Sequence, residues 1–266
     1  MAITANNGIN ALVAAIATAQ AFTISKASMT AKAAGTLQSL WTAAGFPVAG
    51  AAPTTAAGAI VDRTTVGAVP FAAIAGGLTA YFSKFATVFA TAGTLHIADR
   101  LWASAALNGT LITAQAINSP TITRGPTSPN QLYLEFYTAT GNTAANATIS
   151  YTNQSGVAGR TATVAMPGNP VVGQLTLVTL QTGDTGVQSV QSLTLSASTG
   201  TAGNFGLTIL SLIDLTGTSS PNVGVPRGVY DTGLPVLDPS ACLMFYVQPT
   251  ATNTGQITAM IQIASG

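Results

Sequence analysis

The sequence predicts an α+β protein, a helical N-terminal region followed by an antiparallel β-sandwich of jelly-roll type. Three observations lead there. Apolar residues in the first third recur at helical spacing. From Thr94 onward the period switches to two. Turn-forming groups such as Gly141-Asn142, Ser155-Gly156, Gly183-Asp184 and Ser220-Pro221-Asn222 then separate some ten short apolar runs. The expected division is residues 1–93, with a Gly/Ala/Pro-rich arm at 47–70, and a sandwich domain at 94–266.

In the first expected helix, Ile9, Leu12, Val13 and Ile16 fall at i, i+3, i+4 and i+7, with Asn6 or Asn7 as cap. A second helix follows from the stripe Met29, Ala33, Thr36, Leu37, Leu40, Trp41 and Ala44, with Gly45 in the left-handed terminal position and Pro47 as stop. PVAGAAPTTAAGAIVDRTTVGAVP, residues 47–70, keeps no period and reads as an extended arm. A third helix is expected from Phe71 to Ala92, because Leu78, Tyr81, Phe82, Phe85, Val88 and Phe89 share a helical face.

The strands expected next are TLHIADRLWA, GTLITAQAI, QLYLEFYT, NATISYT, GRTATVAM, GQLTLVTL, QSLTLSA, FGLTILSLI, CLMFYVQ and QITAMIQIA. NATISYTNQSGVAGRTATVAM reads as a hairpin. Ala147, Ile149, Tyr151, Ala162, Val164 and Met166 face the core, and threonine and serine cover the other side. The segment from Asp214 to Pro239 is the longest expected connection, and long loops on such scaffolds are where ligands bind.

Eight basic and seven acidic residues make only 6% of the chain charged, where about 25% is typical. A 26.5 kDa monomer exposes roughly 10,700 Å², so each charge serves roughly 700 Å². Such a surface favours association. The basic residues stand singly, so no patch exists to hold phosphates, and nucleic acid is not an expected partner. Ile9–Phe22 is shorter than the roughly 20 apolar residues a membrane span needs. It also lacks the basic start of a secretory signal, since Lys26 is the first positive side chain. Cys242 is the single cysteine, which excludes an intrachain disulfide.

Catalytic patterns are scarce. His96 is the one histidine, and on a strand it points away from Asp99 three residues on; no G-x-S-x-G elbow accompanies it. A structural histidine is the simpler reading. Asp214, Asp231 and Asp238 match no calcium-loop spacing, and N-x-S/T patterns at Asn108, Asn146 and Asn153 are common in a chain so rich in Asn and Thr. Glu135, the lone glutamate, shares a strand face with Tyr133 and Tyr137. That face suits a subunit contact, a wet sheet face or a sugar platform. No catalytic residue, metal or cofactor is expected.

LYLEFYTATGNTAANATISYTNQSGVAGRTATV and LQTGDTGVQSVQSLTLSASTGTAGNFGLTIL resemble a poorly characterised group of tailed-bacteriophage and prophage virion structural proteins, over about residues 131–210; TLQSLWTAAGFPVAGAAP is similar to them as well. The resemblance implies a virion protein, assembled in the host cytoplasm, without placing it in the particle. The composition fits, because contacts built from hydroxyls and small apolar groups depend little on salt. The expectation is a non-enzymatic capsid decoration or cement protein that oligomerises with itself and contacts other virion proteins such as a major capsid protein. The candidate subunit contacts are Ile9, Leu12, Val13, Ile16, Tyr133, Glu135 and Tyr137. Alternatives are a tail, collar or major coat component, or a carbohydrate-binding adhesin.

Overall fold

A computed structural model describes residues 8–27, 33–252 and 255–266. In order, the elements are α1 (Gly8–Ala17), β1 (Gln20–Lys26), β2 (Leu37–Ser39), β3 (Gly45–Phe46), β4 (Ala59–Ile60), β5 (Ala80–Phe89), β6 (Gly93–Ala103) and β7 (Gln115–Ala116). There follow β8 (Gln131–Thr138), β9 (Asn146–Asn153), β10 (Arg160–Ala165), β11 (Gln174–Leu177), β12 (Val187–Leu195) and β13 (Asn204–Thr218). The chain ends with β14 (Val225–Arg227), α2 (Val229–Thr232), β15 (Val236–Leu237), β16 (Leu243–Pro249) and β17 (Ile257–Ser265).

One sheet closes on itself. Its order is β13-β8-β11-β2-β16-β6, and β13 also pairs with β6, which completes a six-stranded ring. Each strand turns one apolar side chain inward: Leu37, Ala98, Tyr133, Leu175, Leu210 and Tyr246, with Met244 and Trp41 among them. Alternation of period two then sends the intervening residues outward. Leu132, Leu134 and Phe136 of β8 and Phe205, Leu207 and Ile209 of β13 pack against Ile149, Tyr151, Val190 and Leu193 of a second sheet, ordered β10-β9-β12-β7. Leu95 and Ile97 of β6 and Phe245 and Val247 of β16 pack against Phe82, Phe85, Ile261 and Ile263 of a third, ordered β14-β5-β17-β1-β3. A barrel therefore sits between two flanking sheets, each pairing buried by apolar contact.

This overturns the expected α+β class with its helical N-terminal region. Of the residues expected as a third helix (residues 71–92), Ala80–Phe89 form β5 and residues 71–79 are loop and turn. The spacing within β5 misled because of a β-bulge: Lys84 pairs with Gln262 and Phe82 with Ile263, leaving Ser83 unpaired. The extra residue puts Phe82 and Phe85 on one side, where their rings meet edge to face at 5.7 Å, and Phe89 follows four residues later. A spacing of three then four is that of a helix face. The second expected helix is β2 and a turn, as far as it is described; Met29 lies outside the described residues. Gly45 ends no helix. It lies in β3, where a β-carbon would sit 1.9 Å from the Ser25 carbonyl oxygen, so only glycine permits the crossing over β1.

All ten of the strands expected after Thr94 are present, though GTLITAQAI shrinks to two residues. They do not form a two-sheet jelly roll by themselves. β2 and β4 join the barrel sheet, and β1, β3 and β5 share a sheet with β14, β15 and β17. The 47–70 arm lies against its own chain: Trp41 Nε1 donates to the Ala51 carbonyl at 3.0 Å and Trp102 Nε1 to that of Ala57 at 2.9 Å. Val69 is wholly buried.

Candidate functional site

Five of the fourteen described charged residues are buried, and four of these form two ion pairs. Arg100 on β6 and Glu135 on β8 point into the barrel, each side chain 1% exposed, with Arg100 Nη2 2.5 Å from Glu135 Oε2. Tyr137 donates to Glu135 and accepts from Arg100, both at 2.9 Å. Arg100 Nε donates to Thr208 Oγ1 at 3.2 Å, and the Trp41 ring lies 4.4 Å from the guanidinium carbon. Burial is the largest single influence on the Arg100 pKa and lowers it, but Glu135, Tyr137 and Cys242 together outweigh it and the net direction is upward. Burial, then Glu135, drives the Tyr137 hydroxyl well above its usual range. Each charge is thus paired and hydrogen-bonded, which is what a low-dielectric interior demands.

On the opposite face of β6, Arg124 grips Asp99 through two bonds of 2.8 Å, and Asp99 Oδ1 also accepts the Cys242 N–H at 2.7 Å. Burial pushes the Cys242 thiol up to about 12, so it stays protonated near neutrality. At the hairpin of the second sheet, Asp184 accepts from Tyr151, Asn153 and Arg160. Arg160 first, then Tyr151 and Asn153, pull its pKa down to about 2. Its side chain is only 2% exposed.

Tyr133, Glu135 and Tyr137 do share a face, as their spacing requires. That face is the barrel interior, at 2%, 1% and 7% exposure, so the expected subunit contact or sugar platform there is corrected to a packed polar core. Alternation cannot distinguish an inner barrel face from a wet one. A lone Glu among Leu and Phe was the available signal, since a buried carboxylate requires a cation.

His96 also points inward, stacked on Tyr246 at 4.4 Å between centroids, while Asp99 points outward as the strand spacing demands. Burial lowers its pKa from 6.5 to about 4, and neither buried ring nitrogen has a hydrogen-bond partner. The Asp214–Pro239 segment is not a free loop. β13 runs through its start, and it contains β14, α2 and β15. Asp214 pairs with Arg227, Asp231 accepts the Gly228 N–H at 2.9 Å, and Asp238 accepts from Ser240. The three do not converge, and no group of three metal-ligating side chains occurs among the described residues.

The remaining candidate contacts lie on α1. The side chain of Ile9 is outside the described residues. The helix packs on β17 and buries its small residues, Ala11 and Ala15, while Leu12 and Ile16 stay half-buried and Val13 is 59% exposed. This differs from the expected burial of the larger side chains.

The outer surface carries few charges for its 10,596 Å². Among the described charged residues, Asp231 and Asp238 are exposed, Asp62, Arg63, Lys84, Arg160, Asp184, Asp214 and Arg227 are partly exposed, and Lys26, Asp99, Arg100, Arg124 and Glu135 are buried. The outer face of the second sheet instead carries hydroxyls, with Thr148 opposite Thr163 at 3.2 Å between oxygens.

No family model matches the chain, and no curated protein matches it significantly, so the resemblance to tailed-bacteriophage proteins gains no support there. Solved structures similar to it include that of the infectious bursal disease virus Gx strain, at 11% identity and a TM-score of 0.23, covering 93% of this chain and 80% of that one. The VP2 subviral particle of the same virus matches at 12% identity and a TM-score of 0.20, covering 93% and 80%. At such TM-scores the superposition establishes no common fold.

Proposed function

We propose that the chain is a non-enzymatic virion structural protein, a capsid decoration or cement subunit that oligomerises with itself and lies against a coat protein. The observation that carries this reading is the surface. A chain with only nine of its described charged residues at least partly exposed on 10,596 Å² of surface, and a coat of threonine, alanine and valine, is suited to being shared with neighbours. The interior supports it in a second way. Arg100 and Glu135 are used here to lock the barrel from within, which makes a rigid body with few charges on its faces. Weak neutral contacts repeated over a lattice add up to firm attachment. The motif resemblance over residues 131–210 points the same way.

Quantitative mass spectrometry and cryo-electron microscopy of purified particles test it. Many copies spread over the head are expected. A few copies at one vertex or on a fibre would reassign the chain to a connector or adhesin, and absence from particles would overturn the reading.

A further inference from the structure

A β-sheet ends in unpaired N–H and C=O groups that template another strand, and proteins blunt such edges with short strands, bulges or covering side chains. Among the described residues, three stretches of this fold run longer than three residues without a backbone partner on one side. Two are blunted. On β1, Gln20 reaches across to Ala72, accepting its N–H at 2.6 Å and donating to its carbonyl at 3.4 Å. On the far half of β13, a bulge at Ile213 breaks the edge, the Asp214 side chain takes the Leu215 N–H at 2.8 Å, and Arg227 donates to the Leu215 carbonyl.

The third is β10, and nothing defends it among the described residues. It pairs with β9 on one side in unbroken register from Arg160↔Tyr151 to Ala165↔Asn146 and ends its sheet on the other. It has no bulge and no proline. Its one charge, Arg160, is turned back onto Asp184. Its core-facing residues are Ala162 and Val164. Ala162 is 5% exposed, but Val164 stays only partly buried against the core. The core is therefore open at this edge to one more strand.

We propose that β10 pairs antiparallel with β10 of a second copy, about a two-fold axis at Thr163, joining two four-stranded sheets into one. The register follows from the faces. A two-fold perpendicular to the sheet keeps inner faces together, so residues opposite one another must have the same parity. Centring on Thr163 sets it against itself on the hydroxyl face and sets Ala162 against the partner's Val164 on the core face, which closes the opening beside Val164. A second copy is the fitting occupant because it supplies the same neutral edge with an apolar inner and hydroxyl outer face. The inference deepens the shell-protein reading and rests on it for its setting.

The test uses the full chain. Thr163→Cys is expected to form a covalent dimer on mild oxidation, since residues directly opposite across an antiparallel pair have Cβ atoms roughly 4.5–5.5 Å apart. Thr161→Cys, set against the partner's Ala165, is not. Thr163→Lys brings two ammonium groups together and is expected to weaken self-association at least tenfold in sedimentation. Thr163 is exposed, so circular-dichroism melts should match wild type. Equal crosslinking of the two cysteine variants, or unchanged association of Thr163→Lys, overturns the proposal. So does a monomeric wild type that needs Thr163 only for entering particles, which would mean a different partner strand. Particle incorporation of wild type is scored separately: entry without a Thr163 crosslink removes this pairing and leaves the shell role, and a crosslink without entry does the reverse.

Discussion

Arg100 and Glu135 reach one another inside the barrel from β6 and β8, the two strands that flank β13, with each side chain 1% exposed. The pair ties together the strands on either side of the one that closes the ring. Its desolvation cost is offset by the hydrogen bonds to Tyr137 and Thr208 and by the Trp41 ring.

Removing one member leaves the other charged and unpaired. Glu135→Ala is expected to cost about 3–5 kcal/mol in urea denaturation, and the apolar double variant Arg100→Met/Glu135→Leu to recover most of it. A double variant as unstable as Glu135→Ala would show that the barrel needs the ionic geometry itself and not merely charge neutrality.

The strands from Thr94 onward were legible because alternation and turn residues act locally, and the hairpin at Asn146–Met166 has the faces its sequence predicts. What the sequence hid was non-local. The bulge at Ser83 set Phe82, Phe85 and Phe89 at helical spacing. Ring closure by β13 turned the Tyr133/Glu135/Tyr137 face from surface into interior. On α1 the helical face itself was read correctly in period but not in which side packs. β17 accepts close approach of Ala11 and Ala15, Leu12 and Ile16 are half-buried beside them, and Val13 is left outward.

Acid should act on His96 first. Burial lowers its folded pKa from 6.5 to about 4, so between those values the unfolded chain binds more protons than the folded one. Stability is therefore lost as pH falls from about 6.5 to 4 and levels off below that. After allowance for the partly exposed ring, about 1–2 kcal/mol is at stake. His96→Phe keeps a ring to stack on Tyr246 and should flatten this window. An unchanged pH profile in that variant would assign the loss to other groups.

A second step should come from Asp184, whose folded pKa near 2 lies below the usual carboxylate value because Arg160, Tyr151 and Asn153 all donate to it. A depressed carboxylate contributes stability above about 3.8 and loses it as pH falls through about 2. Asp184→Asn should remove this step and raise hydrogen exchange in β9 and β10, leaving barrel amides protected. Uniform exchange across all three sheets would mean that the hairpin and barrel open together.

The last expectation concerns α1. Ten residues without a charge form a helix too short to persist alone in water, so packing must hold it. Its contact with β17 uses Ala11 and Ala15, and the apolar surface of Val13, with parts of Leu12 and Ile16, is left over. In the shell reading, that leftover surface meets a neighbouring copy. A deletion through residue 25 would not test this, because it removes β1, which pairs with β17 along seven residues. Val13→Glu is the sharper change. The site is 59% exposed, so the folded chain should tolerate it, with a melting temperature close to wild type. A carboxylate desolvated at a contact is costly, so self-association and particle incorporation should fall at least tenfold. Deleting residues 1–18 should match that loss while keeping β1 and the barrel. Normal assembly of Val13→Glu would place the subunit contact elsewhere. A lowered melting temperature without an assembly defect would mean that Val13 packs within its own chain.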